Sequence, residues 1–189
     1  MEEIIFYWEW LSLPKEQFRL LAMIAASGGR FDGNYTDICN YLSVTSQSRN
    51  RAKIKAALGA LTSARYIGWE QSGRTHHLEI KPKETEIKIP LALANSIIKH
   101  DYSFDTKVAW EQVLRLYIWV VHNDIEIIQN HIIAGDLFIS DKTITSAKKV
   151  LIEEYEAINR KMIHQKLRED MYMRVGHKLE AIAWWKDIT

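Results

Sequence analysis

Between residues 36 and 80 the apolar residues change their spacing from about 3.6 to 2, and this change limits the folds open to the chain. A short helix is predicted over 37–42, with Thr36 as its N-cap and Ile38, Tyr41 and Leu42 on one face. Residues 43–45 form a turn. A longer helix starts at about Ser46, and its core line is Ile54, Ala57, Leu58 and Leu61. After Arg65 the period becomes that of a strand: Ile67 and Trp69 alternate with polar neighbours, Ser72-Gly73 offers a turn, and Leu78 and Ile80 alternate on the return. Ahead of all this, Pro14 opens a helix carrying Phe18, Leu21, Ala22 and Ala25, which stops at Gly28-Gly29. Three helices followed by a hairpin predict a winged helix.

The remainder of the chain repeats this order. Residues 81–86 are charge-dense and contain Pro82, so the boundary between two units is expected there, with an N-terminal domain over 1–85 and a C-terminal domain over 86–189. Residues 87–99 are expected to connect the two as a strand or helix. Helices are then predicted over 106–122 and 126–134, and Asp141 is the expected N-cap of a long helix reaching about Ile158. An alternating segment over 163–175 folds back at Glu169-Asp170. With only 8 glycines and 3 prolines among 189 residues, the predicted class is mainly α with small β-hairpin wings (α+β), as two winged helix-turn-helix units in tandem.

The totals say less about function than the placement of charge. The chain has 25 basic and 24 acidic residues, so the summed charge lacks the strongly basic signature of many nucleic-acid binders. A single cysteine, Cys39, excludes an internal disulfide framework and a cysteine-cluster zinc site, which fits a reducing compartment such as the cytoplasm. The acidic, aromatic start MEEIIFYWEW does not read as a secretory signal, and the apolar runs are cut by charges well short of a membrane span, so no membrane partner is expected.

Local charge is concentrated over residues 46–65, which hold Arg49, Arg51, Lys53, Lys55 and Arg65 and no acidic residue. At 100° per residue, the core line leaves Ser48, Arg49, Ala52, Lys53, Lys55 and Ala56 pointing outward. Cations on such a face neutralise phosphates, and Ala52 and Ala56 let the helix approach a groove closely. Base reading is expected from Ser48, Arg49 and Lys53, and phosphate contacts from Gln47, Asn50 and Arg51. At the hairpin tip, Arg74 is placed to touch backbone or minor groove. A basic helical face is often only solvated surface, but its position on the third helix of this pattern favours double-stranded DNA as the partner. Adjacent His76 and His77 point to opposite faces of a strand and are read as exposed or hydrogen-bonded, not as metal ligands.

In the second unit the core line Ile144, Ala147, Leu151, Tyr155 and Ile158 leaves Lys142, Thr145, Ser146 and Lys149 outward. Glu153, Glu154 and Glu156 on the same predicted helix repel phosphates, which makes this unit a weaker DNA reader or a protein-binding one. Its hairpin places His164, Lys166 and Arg168 on one face, with Arg174 opposite, and this basic face reads equally as solvated surface. Most of the seven tryptophans fall on apolar stripes. Trp184 and Trp185 cannot easily share one core, which leaves one for contact with a second copy in a homodimer. No phosphate-cradling glycine loop, nucleophile elbow or metal-ligand spacing is present, so neither an enzyme nor a cofactor is expected.

The string FYWEWLSLPKEQFRLLAMIA, followed by TDICNYLSV, the basic helix and YIGWEQSGRTHHLEI, resembles the amino-terminal winged helix of phage and plasmid replication proteins of Gram-positive bacteria. Two such units in tandem also resemble plasmid replication initiators, in which both units sit on DNA repeats. The resemblance implies that Ser48, Arg49, Lys53 and Arg74 in the first unit, and Lys142, Thr145 and Lys149 in the second, lie against an origin repeat. It further implies a partner from the replication machinery. Glu153, Glu154, Glu156 and the near-zero net charge depart from a strongly basic initiator. The alternatives are a transcriptional regulator of a mobile element and a winged-helix module that bridges proteins.

Overall fold

In a computed structural model the chain is described over residues 2–99, 108–123, 129–168 and 171–181, with the backbone alone over 161–168 and 171–177. It is an α+β protein that divides into two units, the first spanning Glu2–Lys99. The first unit runs β1 (Glu3–Tyr7), a 3-10 turn (Trp8–Ser12), α1 (Lys15–Ala26), β2 (Arg30–Gly33), α2 (Tyr35–Tyr41), α3 (Ser48–Ser63), β3 (Ile67–Ser72), β4 (Thr75–Ile80), β5 (Glu86–Pro90) and α4 (Leu91–Ile98). The second runs α5 (Trp110–His122), α6 (Asn130–Leu137), α7 (Asp141–Glu153), β6 (Ile158–Arg168) and β7 (Met171–Ala181).

Helix α1 is the centre of the first unit. Phe18 and the whole run from Leu20 to Ala25 are buried, because α1 packs against α3, α4 and strands of both sheets. Its end follows from the two glycines: Gly28 (φ 81°) and Gly29 (φ 85°) are left-handed, and Gly29 N donates to Ile24 O at 3.0 Å. A side chain at either position would be strained.

One antiparallel sheet has the order β2-β4-β3, and its β3–β4 hairpin turns through Gly73 and Arg74. Gly73 takes the positive φ (60°) that the first position of such a turn requires. Leu78 and Ile67 face the core together with Leu58, Leu61, Ile54 and Ile38. Strand β2, which the sequence pattern did not predict, is four residues long and forms by pairing with β4, Phe31 opposite Leu78.

The expected boundary after residue 85 moves to Lys99. Strand β5 pairs antiparallel with β1, Ile4 opposite Ile89 and Phe6 opposite Ile87, and all four side chains are buried. Helix α4 then lays Leu93, Ala94, Ile97 and Ile98 into the same unit. The segment read as a connection is therefore part of the first core. Phe6 also packs edge-on against buried Trp10, ring centroids 5.6 Å apart.

In the second unit α5, α6 and α7 precede the β6–β7 hairpin, whose strands pair from Ile158 opposite Ala181 to Arg168 opposite Met171. The expected turn at Glu169-Asp170 lies outside the described residues, as do 106–107 and 126–128 of the predicted helices. Trp119 on α5 donates from Nε1 to Asp136 Oδ2 on α6 at 2.9 Å, tying those helices together. Ser140, not Asp141, caps α7, accepting from Thr143 N at 3.2 Å. Helix α7 ends at Glu153, short of the expected Ile158: Glu156 takes a left-handed φ of 45°, and Tyr155 and Ile158 are buried from beyond the helix.

The two units share their backbone punctuation. After α2 the left-handed residue is Ser43 (φ 53°), and Val44 N donates to Cys39 O at 2.9 Å. After α6 it is Phe138 (φ 54°), and Ile139 N donates to Ala134 O at 3.0 Å. This is the same 6→1 helix ending before each third helix. No helix among the described residues is long and apolar enough to cross a membrane.

Candidate nucleic-acid interface

Helix α3 buries Ile54, Ala57, Leu58 and Leu61 as its spacing predicts. Ser48, Arg49, Arg51, Ala52, Lys53, Lys55 and Ala56 are exposed. The helix begins at Ser48 behind Gln47, two residues later than expected. Among the described residues, no ion pair joins Arg49, Arg51, Lys53, Lys55 or Arg74 to a carboxylate. The face is small along its middle, at Ser48, Ala52 and Ala56, and cationic along its flanks. Such a surface admits close approach of a polyanion without first breaking internal pairs.

The flanks differ. Lys53 lies on the α1 side, lining shallow grooves with Glu16, Gln17 and Ala56. Arg51 lies on the opposite flank, where its Nε and Nη2 both donate to Ser46 Oγ at 3.0 and 2.9 Å. Ser46 Oγ in turn meets Thr36 Oγ1 at 3.3 Å. Asn50 is half-buried, and its amide donates to Thr45 O at 2.9 Å. The N-cap of α2 is Asn34, not Thr36. Asn34 Oδ1 accepts from Thr36 N and Asp37 N while Asp37 Oδ2 accepts from Asn34 N, the reciprocal capping box. The Asn-x-x-Asp spacing was the available sign.

Arg74 is exposed at the tip of the β3–β4 turn and lines one cleft together with Arg51, Tyr35, Asn34, Gln71 and His76. Helix face and hairpin tip therefore meet on one side of the unit. His76 is buried, in contrast to one of the expected readings, and its Nδ1 accepts from Trp69 Nε1 at 3.2 Å while Tyr35 packs on the ring at 4.3 Å. Burial, with His77 adding, pushes its pKa below the usual histidine value. His77 instead pairs with Asp32 at 2.6 Å on the exposed side. Among the described residues no three His, Cys, Asp or Glu side chains gather where a metal ion would need them.

On α7 the expected contacts are more occupied. Lys142, Thr145 and Lys149 are exposed and Ser146 is half-buried. Thr145 Oγ1 donates to Asp141 O at 3.0 Å and accepts from Asn130 Nδ2 at 3.1 Å. Lys149 lies 3.9 Å from Glu153 one turn on. Lys148, which the pattern did not single out, is buried, and its ammonium donates to Asn130 Oδ1. Burial, with the nearby Arg160 charge, pushes its pKa down to about 8. Glu154 is the C-cap of α7 and Glu156 stands beyond it, so only Glu153 of the three glutamates is on the helix. For Lys166, Arg168 and Arg174 the backbone alone is described: His164 stands opposite Arg174, and the register shifts at Ile163/His164 and Lys166/Arg168. Their side chains, and Trp184 and Trp185, lie outside the described residues.

No protein-family model matches the chain, and no curated protein matches it.

Proposed function

We propose that the chain is a tandem winged-helix protein whose first unit binds double-stranded DNA sequence-specifically, in the manner of a plasmid or phage replication initiator. The observation that carries this is the α3 face: five outward or tip cations, Arg49, Arg51, Lys53, Lys55 and Arg74, with no carboxylate paired to any of them among the described residues. Helix α3 enters the major groove with Ser48 and Arg49 toward the bases, Arg51 and Lys55 hold phosphates, and the β3–β4 turn acts as the wing. The role is one of binding, in the cytoplasm where the DNA is. A transcriptional regulator of a mobile element would use the same surface, and the sequence selected distinguishes the two by its place in an origin or a promoter.

Selection of bound sequences from random duplex DNA tests the proposal. The expected result is an enriched site that Arg49→Ala loses; equal recovery of all duplexes sinks it. A direct repeat in the site reports both units on DNA, and an inverted repeat reports two chains.

For the second unit a protein-binding role is favoured by a specific observation. Phe138 is 78% exposed and Ile132 45% exposed, on α6 and the turn that follows it, while Lys149 and Thr145 are already engaged within the unit. In that case Lys149→Ala leaves the selected DNA site unchanged.

A further inference from the structure

The cleft between α2, α3 and the β3–β4 turn has a volume of about 580 Å³, and its donors outnumber its acceptors. Two guanidinium groups line it, Arg51 from α3 and Arg74 from the turn, and no carboxylate residue does. Gln71 spends its amide nitrogen on Gly73 O and so has its carbonyl oxygen to spare, but Asn34 and His76 are biased toward donation. Asn34 spends its carbonyl oxygen on Thr36 N and Asp37 N, which leaves its amide nitrogen as the group with capacity to spare. The indole of Trp69 can only donate, so His76 Nδ1 is an acceptor and the ring proton sits on Nε2. What His76 can offer the cleft is a donor.

Arg51 is also preset. Two of its nitrogens are held on Ser46 Oγ, and Ser46 is held by Thr36, so its position is defined before anything binds. Its Nη1 is not used in these bonds. A planar fork held in this way, lining one cleft with a second fork from another element, suits a tetrahedral oxyanion better than a point-charge contact does.

We propose that this cleft is a phosphate site in which Arg51 and Arg74 hold one phosphate group between them, with Ser46 as the positioning residue for Arg51. The phosphate is a phosphodiester of duplex DNA, or it belongs to a free phosphate-bearing ligand. The first source rests on the duplex-binding proposal; the site itself does not.

The test titrates inorganic phosphate into the full chain, with chloride keeping ionic strength constant, while the arginine side-chain N–H resonances are followed. The Arg51 and Arg74 signals are expected to shift along one common saturation curve while Arg49 stays still. Arg74→Ala weakens the phosphate affinity read at Arg51 on the order of tenfold, the loss of one charge-assisted contact. Ser46→Ala weakens it too, Ser46→Thr restores it, and once Arg51 is alanine neither changes the affinity read at Arg74. Equal shifts at every exposed arginine, or none at Arg51 and Arg74, overturn the site.

Duplex binding identifies the source. On DNA, the Arg51→Ala, Arg74→Ala double variant is expected to lower the salt slope by about 0.9, the share of one phosphate, whereas a fall of about 1.8 means two separate phosphates and overturns the shared site. A phosphate response at both arginines with duplex affinity unchanged in that variant assigns the site to a free ligand. If Arg49→Ala and Lys53→Ala also leave duplex affinity unchanged, the DNA reading fails while the phosphate site stands.

Discussion

Removing two cations from the α3 face while leaving its core untouched gives the duplex-binding proposal a quantitative form. Arg49 and Lys53 stand one helical turn apart, both exposed, and neither bonds to another element in a way that the fold needs. Arg49 and Lys53 bring their charge between the phosphate rows as they reach the bases, so each neutralises about one phosphate, as Lys55 does. With Arg51 and Arg74 sharing one more, the face neutralises about four, and the logarithm of the binding constant falls with the logarithm of salt at a slope of about −3.6. Between about 50 and 200 mM salt this weakens binding roughly 150-fold. The Arg49→Ala, Lys53→Ala variant retains about two such contacts, a slope of about −1.8, and loses only roughly 12-fold over the same range. Fluorescence anisotropy with a labelled selected duplex at several salt concentrations reads both slopes, and thermal unfolding checks that the variant folds as the parent does. A double variant whose slope equals the parent's would refute the assignment of this face, whatever its affinity.

Two further outcomes concern the second unit. Phe138→Gly removes a side chain that is largely solvent-exposed from a left-handed position where glycine is favoured by about 1 kcal/mol, so the unfolding midpoint is expected to rise by several degrees; an unchanged or lower midpoint contradicts that account of the turn. Lys148→Met replaces a buried ammonium whose pKa is pushed down to about 8, below its unfolded value of 10.5. In the unfolded chain this lysine binds its proton more tightly, so the parent's stability rises as pH climbs from 8 to 10.5, and the charged form weakens the fold in full below pH 8. The methionine variant should therefore be more stable at pH 7, with its advantage shrinking toward pH 10.5; chemical denaturation at both pH values measures this, and an advantage that does not shrink shows that burial of the charge is not the cause.

Local signals carried the three-helix-and-hairpin core of the first unit, and long-range pairing carried what they missed. The period change at Arg65 located β3 and β4 because the alternation spans each strand. Strand β2 has only Arg30–Gly33 to show, too short for alternation, and exists because β4 offers it an edge. Strands β1 and β5 are more than eighty residues apart at their Glu3–Pro90 pairing, a relation no window of sequence contains. The end of α7 was misread for a different reason. Tyr155 and Ile158 continue the helical spacing, but they are buried from a turn and a strand, so one apolar series served two geometries. For the site, residue type and helical spacing placed the exposed cations. They could not show that Ser46 and Thr36 hold Arg51, because those bonds join two helices across a turn.

The contrast between α3 and α7 bears most directly on function, because it separates shape from surface. Each helix follows a left-handed residue and a 6→1 helix ending; α3 buries the line its spacing predicts, and α7 the part of its line that lies on the helix, Ile144, Ala147 and Leu151. Yet α3 leaves its cations facing water, whereas α7 draws Lys148 inward onto Asn130, spends Thr145 on Asp141 and Asn130, and sets Lys149 beside Glu153. Bringing a phosphate to α7 would mean competing with those contacts, each of which already offsets part of the charge or hydrogen-bonding capacity a phosphate would use. The turn before α7 instead carries Phe138 where the first unit carries Ser43, an apolar ring in place of a hydroxyl. Under the proposed function, the order of three helices and a hairpin that the two units share thus meets two partners: a polyanion at the first unit, and at the second a surface with apolar groups to bury.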